Sequence, residues 1–320
     1  MSNLDRTPSL THCGTTGVAA RPVLERFEGR EVLLGESTRV RRLLPNLGRR
    51  LVGSWCFVDH YGPDDIAREA GMQVPPHPHI GLQTVSWLRA GEVRHRDSLG
   101  NDVVIKPGEL GLMTSGAGIV HAEYSPVPHP ALLHGAQLWV ALPSRAASTA
   151  PSWEHHVTLP VLSGDGVDLT VFLGELADER SPATVHSDLA GVSVTMRAGS
   201  RDVIALEPDF EYAALVLSGS LTIEAAPLTI GTMLYLGTGR ASLTFDSDTG
   251  AEFLFLGGVP FEEQIVMWWN FVARSDEEIV AARDQWAEGG FGTVADAGDP
   301  LKAPPLPPGR LRPGGATRGK

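Results

Sequence analysis

Two short motifs carry the side chains best suited to chemistry: His77-Pro78-His79 and His121-Ala122-Glu123. On a β-strand, residues at i and i+2 project from one face, so His77 and His79 share a side while Pro78 points away, and His121 and Glu123 do likewise. Two such pairs on neighbouring strands would gather three imidazoles and one carboxylate around a point. That donor set suits one transition-metal ion per chain, with iron, manganese, nickel, copper, cobalt and zinc all open. Four protein ligands on a six-coordinate ion leave positions for water, dioxygen or a substrate. A lone H-x-H motif is weak, because a buried histidine is commonly just hydrogen-bonded to a backbone carbonyl. The pairing of two motifs is what favours the metal, and the bend allowed by Gly116-Ala117-Gly118 just before His121 supports it.

Strands must position these groups, and the chain supplies them. Short apolar runs alternate with turn signals at close intervals, from GSWCFVDHYGP and HIGLQTVSWLRAGEV through DVVIKPGELGLM to a second series that includes YAALVLSGSLTIE, LTIGTMLYLG and AEFLFLGG. Such spacing indicates an all-β barrel or sandwich. The stretch LQTVSWLRAGEVRH followed by IKPGELGLM is echoed by FEYAALVLSGSLTI followed by LTIGTMLYL, a weak internal repeat that implies two related barrels joined between Pro143 and Pro160. One helix is expected: Ser275 and Glu278 form a capping box, Ile279, Ala282 and Trp286 share a face, and Gly289-Gly290 ends the run. It is expected to pack on the second barrel, with Trp268 and Trp269 as apolar anchors.

Composition sets the outer bounds. The 320 residues exceed one ordinary domain, and 38 acidic against 26 basic side chains give a formal charge of -12, which disfavours direct binding to nucleic acid. Cys13 and Cys56 are the two cysteines, too few for a disulfide framework. The first twenty residues lack the apolar core of a secretory signal, and no apolar run approaches the roughly 18 residues of a membrane span, so a cytoplasmic, non-membrane protein is expected. The expected division is a flexible tail over 1–20, a metal-binding barrel over 21–150, a second barrel with the helix over 151–295, and a Pro/Gly-rich tail over 296–320. Within that last tail, the Pro304 to Pro308 run reads as a solvated or surface-draped extension.

The metal motifs also carry a family likeness. PPHPHIGLQTVSWLRAGEVRHRDSLGN through MTSGAGIVHAE, with CFVDHYGP before them and WWNFVARSDEEIVAARDQWAEGGFG near the end, resembles the pirin family of bicupins over roughly residues 25–295. The resemblance implies two tandem cupin barrels of the jelly-roll type with a short C-terminal helix. It also implies His77, His79, His121 and Glu123 as ligands, most often of Fe(II). Pirins include dioxygenases that cleave flavonols such as quercetin and, in eukaryotes, a nuclear transcriptional coregulator. Many pirins read HPHRGFETV and WMTAGRGI where this chain has Ile80, Leu82, Gln83, Leu112, Ser115 and Ala117.

Two functions therefore stand side by side: an oxidoreductase acting on a small aromatic substrate with dioxygen, and a regulatory module that binds a protein partner according to metal redox state. In the first, Glu123 is both ligand and catalytic base, and Met72, Val74, Leu82, Gln83, Val85 and Trp87 line the substrate pocket. Gln83 is placed inward with the histidines by strand parity. His60 and His95 read as core hydrogen-bonding residues. Asp97 reads as a hairpin-stabilising acid that could also bond His95, and His129, His134, His155 and His156 as surface or linker residues. Cys56 reads as a buried structural thiol. The second barrel is expected to hold no metal of this kind: no histidine follows His186, and the repeat places Ala205 and Glu207 where the H-P-H pair would stand.

Overall fold

The computed structural model describes residues 5–14, 20–34 and 38–307. The fold is all-β, with one short helix. Two strands of the first barrel, Gln73–His79 and Ile119–Tyr124, sit side by side in a four-stranded sheet completed by Val93–Asp97 and Asp102–Ile105. A seven-stranded sheet closes over them, with Leu82–Ala90 and Leu132–Ala141 at its middle. Val85, Trp87, Leu138 and Val140 on the outer face of that sheet pack against Phe172, Leu215, Leu254 and Leu256 of the second barrel. The barrels thus share one apolar core across their contact, which buries both faces of each larger sheet and explains the near-continuous apolar runs in LQTVSWL and AQLWVAL.

Several segments lie elsewhere than the sequence implies. Glu25–Glu28, expected in the first barrel, pairs with Thr232–Gly237 of the second. Thr11–Cys13, expected within a flexible tail, is a strand paired with Ile265–Trp268. Ser152–His156 extends the first barrel's sheet by pairing with Leu110–Thr114, so His155 and His156 are not linker residues. The helix Asp276–Ala287 is capped by Ser275 as expected, its hydroxyl accepting the Glu278 amide. Its face of Ile279, Ala282 and Trp286 covers Val120, Trp268 and Phe271 rather than the second barrel. The outer side of the four-stranded sheet is apolar at Val120 and needs a cover, which the C-terminal segment supplies.

That segment continues past the helix. Phe291 lies over Gly118, where a Cβ would fall 2.2 Å from its ring, so the glycine is required there. Residues 296–307 then drape over the same sheet: the Leu301 amide donates to the Pro76 carbonyl at 2.8 Å and the Trp286 indole donates to the Leu301 carbonyl. The end of the proline run at Pro308 lies outside the described residues, as do residues 1–4, 15–19, 35–37 and 309–320. Among the described residues no helix is long and apolar enough to cross a membrane.

Candidate metal centre

His77 and His121 are direct cross-strand neighbours, and their rings stand 4.3 Å apart between centroids. His79 lies 5.1 Å from His77 and 5.0 Å from His121 by the same measure, and one nitrogen from each of the three falls within 4.8 Å of the others. All three imidazoles are fully buried. Backbone carbonyls fix two of them: His77 Nδ1 donates to Pro75 at 2.7 Å and His79 Nδ1 to Asn270 at 3.0 Å. The Asn270 carbonyl is offered by a tight turn in which Trp269 takes a left-handed conformation (φ 53°), a strained choice for a bulky residue.

Those bonds leave the Nε2 atoms as the available donors. The Nε2 atoms of His79 and His121 are buried with no hydrogen-bond partner. A buried imidazole nitrogen without a partner costs free energy that a metal ion would repay, so the residues present fit a transition-metal ion. Protonation does not compete with it. Burial first, and the neighbouring imidazoles second, hold His79 and His121 well below the usual histidine range, and burial presses His77 to about 4. At neutral pH all three are neutral, the form that coordinates.

The third histidine is oriented by a side-chain relay. His121 Nδ1 lies 3.4 Å from His95 Nδ1, and His95 Nε2 lies 3.3 Å from Asp97 Oδ2. With His121 Nε2 kept as a lone pair, its Nδ1–H donates to His95, whose own proton then sits on Nε2 and donates to Asp97. His95 is held by Trp153, stacked on it at 3.7 Å, and Asp97 by the amides of Leu99 and Asn101. Burial pushes the Asp97 carboxyl up, but hydrogen bonds from His95 and Asn101 outweigh it and hold it below the ordinary value.

Glu123 follows His121 on the same strand and is buried. The Ser86 hydroxyl reaches its Oε1 at 3.2 Å and the Gln137 side-chain amide at 3.0 Å. A hydroxyl has one proton, and both Glu123 Oε1 and Gln137 Oε1 are acceptors, so Ser86 donates to one of the two at a time. With three neutral imidazoles around it, a divalent ion would keep its positive charge, enough to polarise an anionic oxygen ligand.

The expected pocket divides. Met72 and Val74 lie in the barrel interior with Tyr61 and Leu88, and Leu82 packs with Phe57, Trp139 and Val272. Gln83, Val85 and Trp87 do not face the histidines. Val85 and Trp87 belong to the core between the barrels, and Gln83 donates to Thr114 Oγ1 and to the Thr184 carbonyl at the second barrel. Gly81 is the physical reason: its φ of 68° and the turn it makes break the alternation, so even-numbered residues such as Ser86 face inward on the next strand. A Cβ at Gly81 would sit 2.1 Å from the Val272 carbonyl oxygen.

Two further placements differ from expectation. His134 is buried rather than superficial, its Nε2 3.0 Å from His60 Nε2, beside the Arg89–Glu252 ion pair that ties the two barrels. Ala205 and Glu207 are exposed, and Ile204 and Leu206 are the buried residues there. Sequence reasoning did not find Trp139, whose ring meets His79 edge-on at 5.2 Å, nor Trp153, Ser86 or Gln137 as neighbours of the site. The H-x-D spacing of His95 and Asp97 was a usable signal, and those residues pair directly with Glu123 and His121 across the sheet.

Two tandem jelly-roll barrels, one with a buried histidine cluster, define a bicupin with a possible metal site. Sequence comparison agrees: residues 37–140 match the pirin profile and residues 191–292 match the pirin C-terminal cupin domain. The chain belongs to the pirin family. A Pseudomonas aeruginosa protein provisionally named quercetin 2,3-dioxygenase is 42% identical over 310 residues, spanning 96% of this chain and 98% of the relative. The crystal structure of a quercetin 2,3-dioxygenase from Acinetobacter baumannii superposes with a TM-score of 0.87 at 39% identity, covering 91% of this chain and 98% of that one. A bacterial pirin from Escherichia coli, solved in complex with nickel(II), shares the fold at 20% identity and a TM-score of 0.60, covering 74% of this chain and 99% of its own.

Proposed function

We propose that the protein is a metal-dependent dioxygenase that cleaves flavonols such as quercetin, with Fe(II) held by His77, His79, His121 and Glu123. The observation that carries this reading is the pair of buried, unpartnered Nε2 atoms on His79 and His121, beside a buried carboxylate two residues along the same strand. The names of the two relatives above 35% identity point to the substrate class.

A bound transition ion would supply positive charge at the substrate's vicinal oxygens and a route for electrons to dioxygen. The chain supplies the rest. Leu82, Phe57 and Trp139 form an apolar wall beside His79, and Met72 and Val74 with Tyr61 form another part of the barrel interior, surroundings that suit a flat ring and exclude water. Glu123 accepts the flavonol hydroxyl proton at its carboxylate, while the Ser86 hydroxyl holds Oε1 in place. His95 and Asp97 keep His121 in the tautomer that presents Nε2.

The test is oxygen uptake by metal-analysed protein over a panel of flavonols. One dioxygen consumed per ring-cleaved flavonol is the expected result, and Glu123→Gln should keep much of the metal yet lose turnover, because an amide cannot take the proton at neutral pH. A fully metallated iron form that leaves quercetin and its relatives unchanged in air would exclude this substrate class.

A further inference from the structure

A cleft of about 500 Å³ opens on the first barrel beside the N-terminal segment, within the size range of small-molecule sites. Three arginines and four aromatic side chains are among the residues that line it. Phe57 and Trp139, stacked at 4.0 Å with 14° between their planes, contribute to it, as do Trp268 and Trp269. The indole N–H groups of Trp139 and Trp268 are buried with no acceptor, a cost that an oxygen-bearing ligand would relieve.

Charge points the same way. Arg30 and Arg50 line the cleft and have no acidic partner among the described residues, whereas Arg42, stacked over Phe57 at 4.4 Å, commits two nitrogens to Asp59 at 2.9 and 2.8 Å. The one carboxylate among the lining residues is Asp5, whose Oδ1 accepts the Thr7 amide. At the rim Leu47 stands 92% exposed, an apolar side chain in water with nothing to cover.

We propose that this cleft binds a flat aromatic anion: a ring system over the aromatic floor to which Trp139, Trp268 and Trp269 contribute, its carboxylate or comparable oxyanion taken by Arg30, Arg50 and the two indole N–H groups. Guanidinium groups recognise such oxyanions with charge-assisted hydrogen bonds, and arginine and indole together favour an aromatic anion over either a neutral ring or a bare ion. Trp139 is a shared wall, lining the cleft and touching the His79 ring, so the bound anion lies next to the metal centre without coordinating it. The inference does not rest on the dioxygenase reading, since binding is measured without turnover.

The probes are naphthoate and its neutral twin naphthamide, followed by tryptophan fluorescence and calorimetry on the purified, metal-analysed protein. Naphthoate should quench and bind, and naphthamide should bind about tenfold more weakly, the discrimination typical of losing charge-assisted contacts. In the Arg30→Gln/Arg50→Gln double variant naphthoate should weaken by about the same factor while metal content stays as in the parent. Dialysis against a chelator should leave naphthoate affinity within about twofold, which separates the cleft from direct coordination. Equal affinity for the two probes, an unchanged affinity in the double variant, or binding that vanishes with the metal would each overturn the proposal.

Discussion

The two barrels share an architecture and differ in what fills them. In the first, three neighbouring strands turn His77, His79, His121, His95 and Glu123 inward, with Ser86 and Gln137 facing them from the larger sheet. In the second, Ser200–Ala205, Ser242–Ser247 and the end of Glu211–Ile223 occupy the corresponding places. Their cross-strand neighbours are Ile204 with Leu243 and Phe245 with Ile223. Phe253, Phe255 and Tyr212 complete that apolar interior. One barrel therefore gives up apolar packing for a polar interior in which donors are left open, and the other supplies the hydrophobic mass on which the pair depends. A barrel wall dictates which residues face inward but not whether they pack or ligate.

The largest effect that could break this contrast is loss of metal. His121→Ala or His79→Ala should reduce elemental metal from about one ion per chain to near none, because each removes a coordinate bond and the next imidazole, His95, is held back by Asp97 and Trp153. Full occupancy in both variants would place the ion elsewhere and dissolve the distinction between the barrels. Next comes packing: Phe253→Ala, which empties the middle of the second barrel, should cost about 3–5 kcal/mol in chemical denaturation while metal content is retained. A smaller loss would mean that the second interior is looser than its burial indicates.

The relay sharpens the comparison further, since it has no counterpart in the second barrel. His95→Ala or Asp97→Asn should weaken metal binding about 10–100-fold in a chelator competition, without abolishing it. An effect that is small near neutral pH and grows with acid lies at the contact between barrels. Burial, then His134 and Arg41, press His60 down to about 3 from an ordinary 6.5. As pH falls between those values the unfolded chain takes up a proton that the folded chain refuses, so stability declines by up to about 1.4 kcal/mol per pH unit. Urea midpoints at several pH values should show that slope in the parent and a shallower one in His60→Gln.

The histidine cluster was legible because period-two alternation within one short strand is local: His77, Pro78 and His79 needed no knowledge of the partner strand. Parity could not be carried across Gly81, where a single left-handed residue resets it, and so Gln83, Val85 and Trp87 were assigned to the wrong face. The same slip of one residue placed Ala205 where Ile204 points inward. The helix was readable from its cap and its apolar face, but its destination was not, because any apolar sheet face of matching width would satisfy Ile279 and Trp286. The importance of His95 depended on cross-strand register with Glu123, information that lies 28 positions away in the chain and in no local pattern.

The exchange of end segments has a consequence for how the molecule comes into being. Glu25–Glu28, made early, pairs with a strand that follows some two hundred residues later, and Cys13 meets Ile265 some two hundred and fifty residues on. The second barrel cannot complete its sheet without the early strand, and the first, whose two sheets come from its own residues, lacks its cover until the C-terminal segment arrives. Emerging from the ribosome, the first barrel must wait, with Val120 and its neighbours still uncovered, until the final helix has been synthesised. Equilibrium unfolding should then appear as one cooperative transition rather than two.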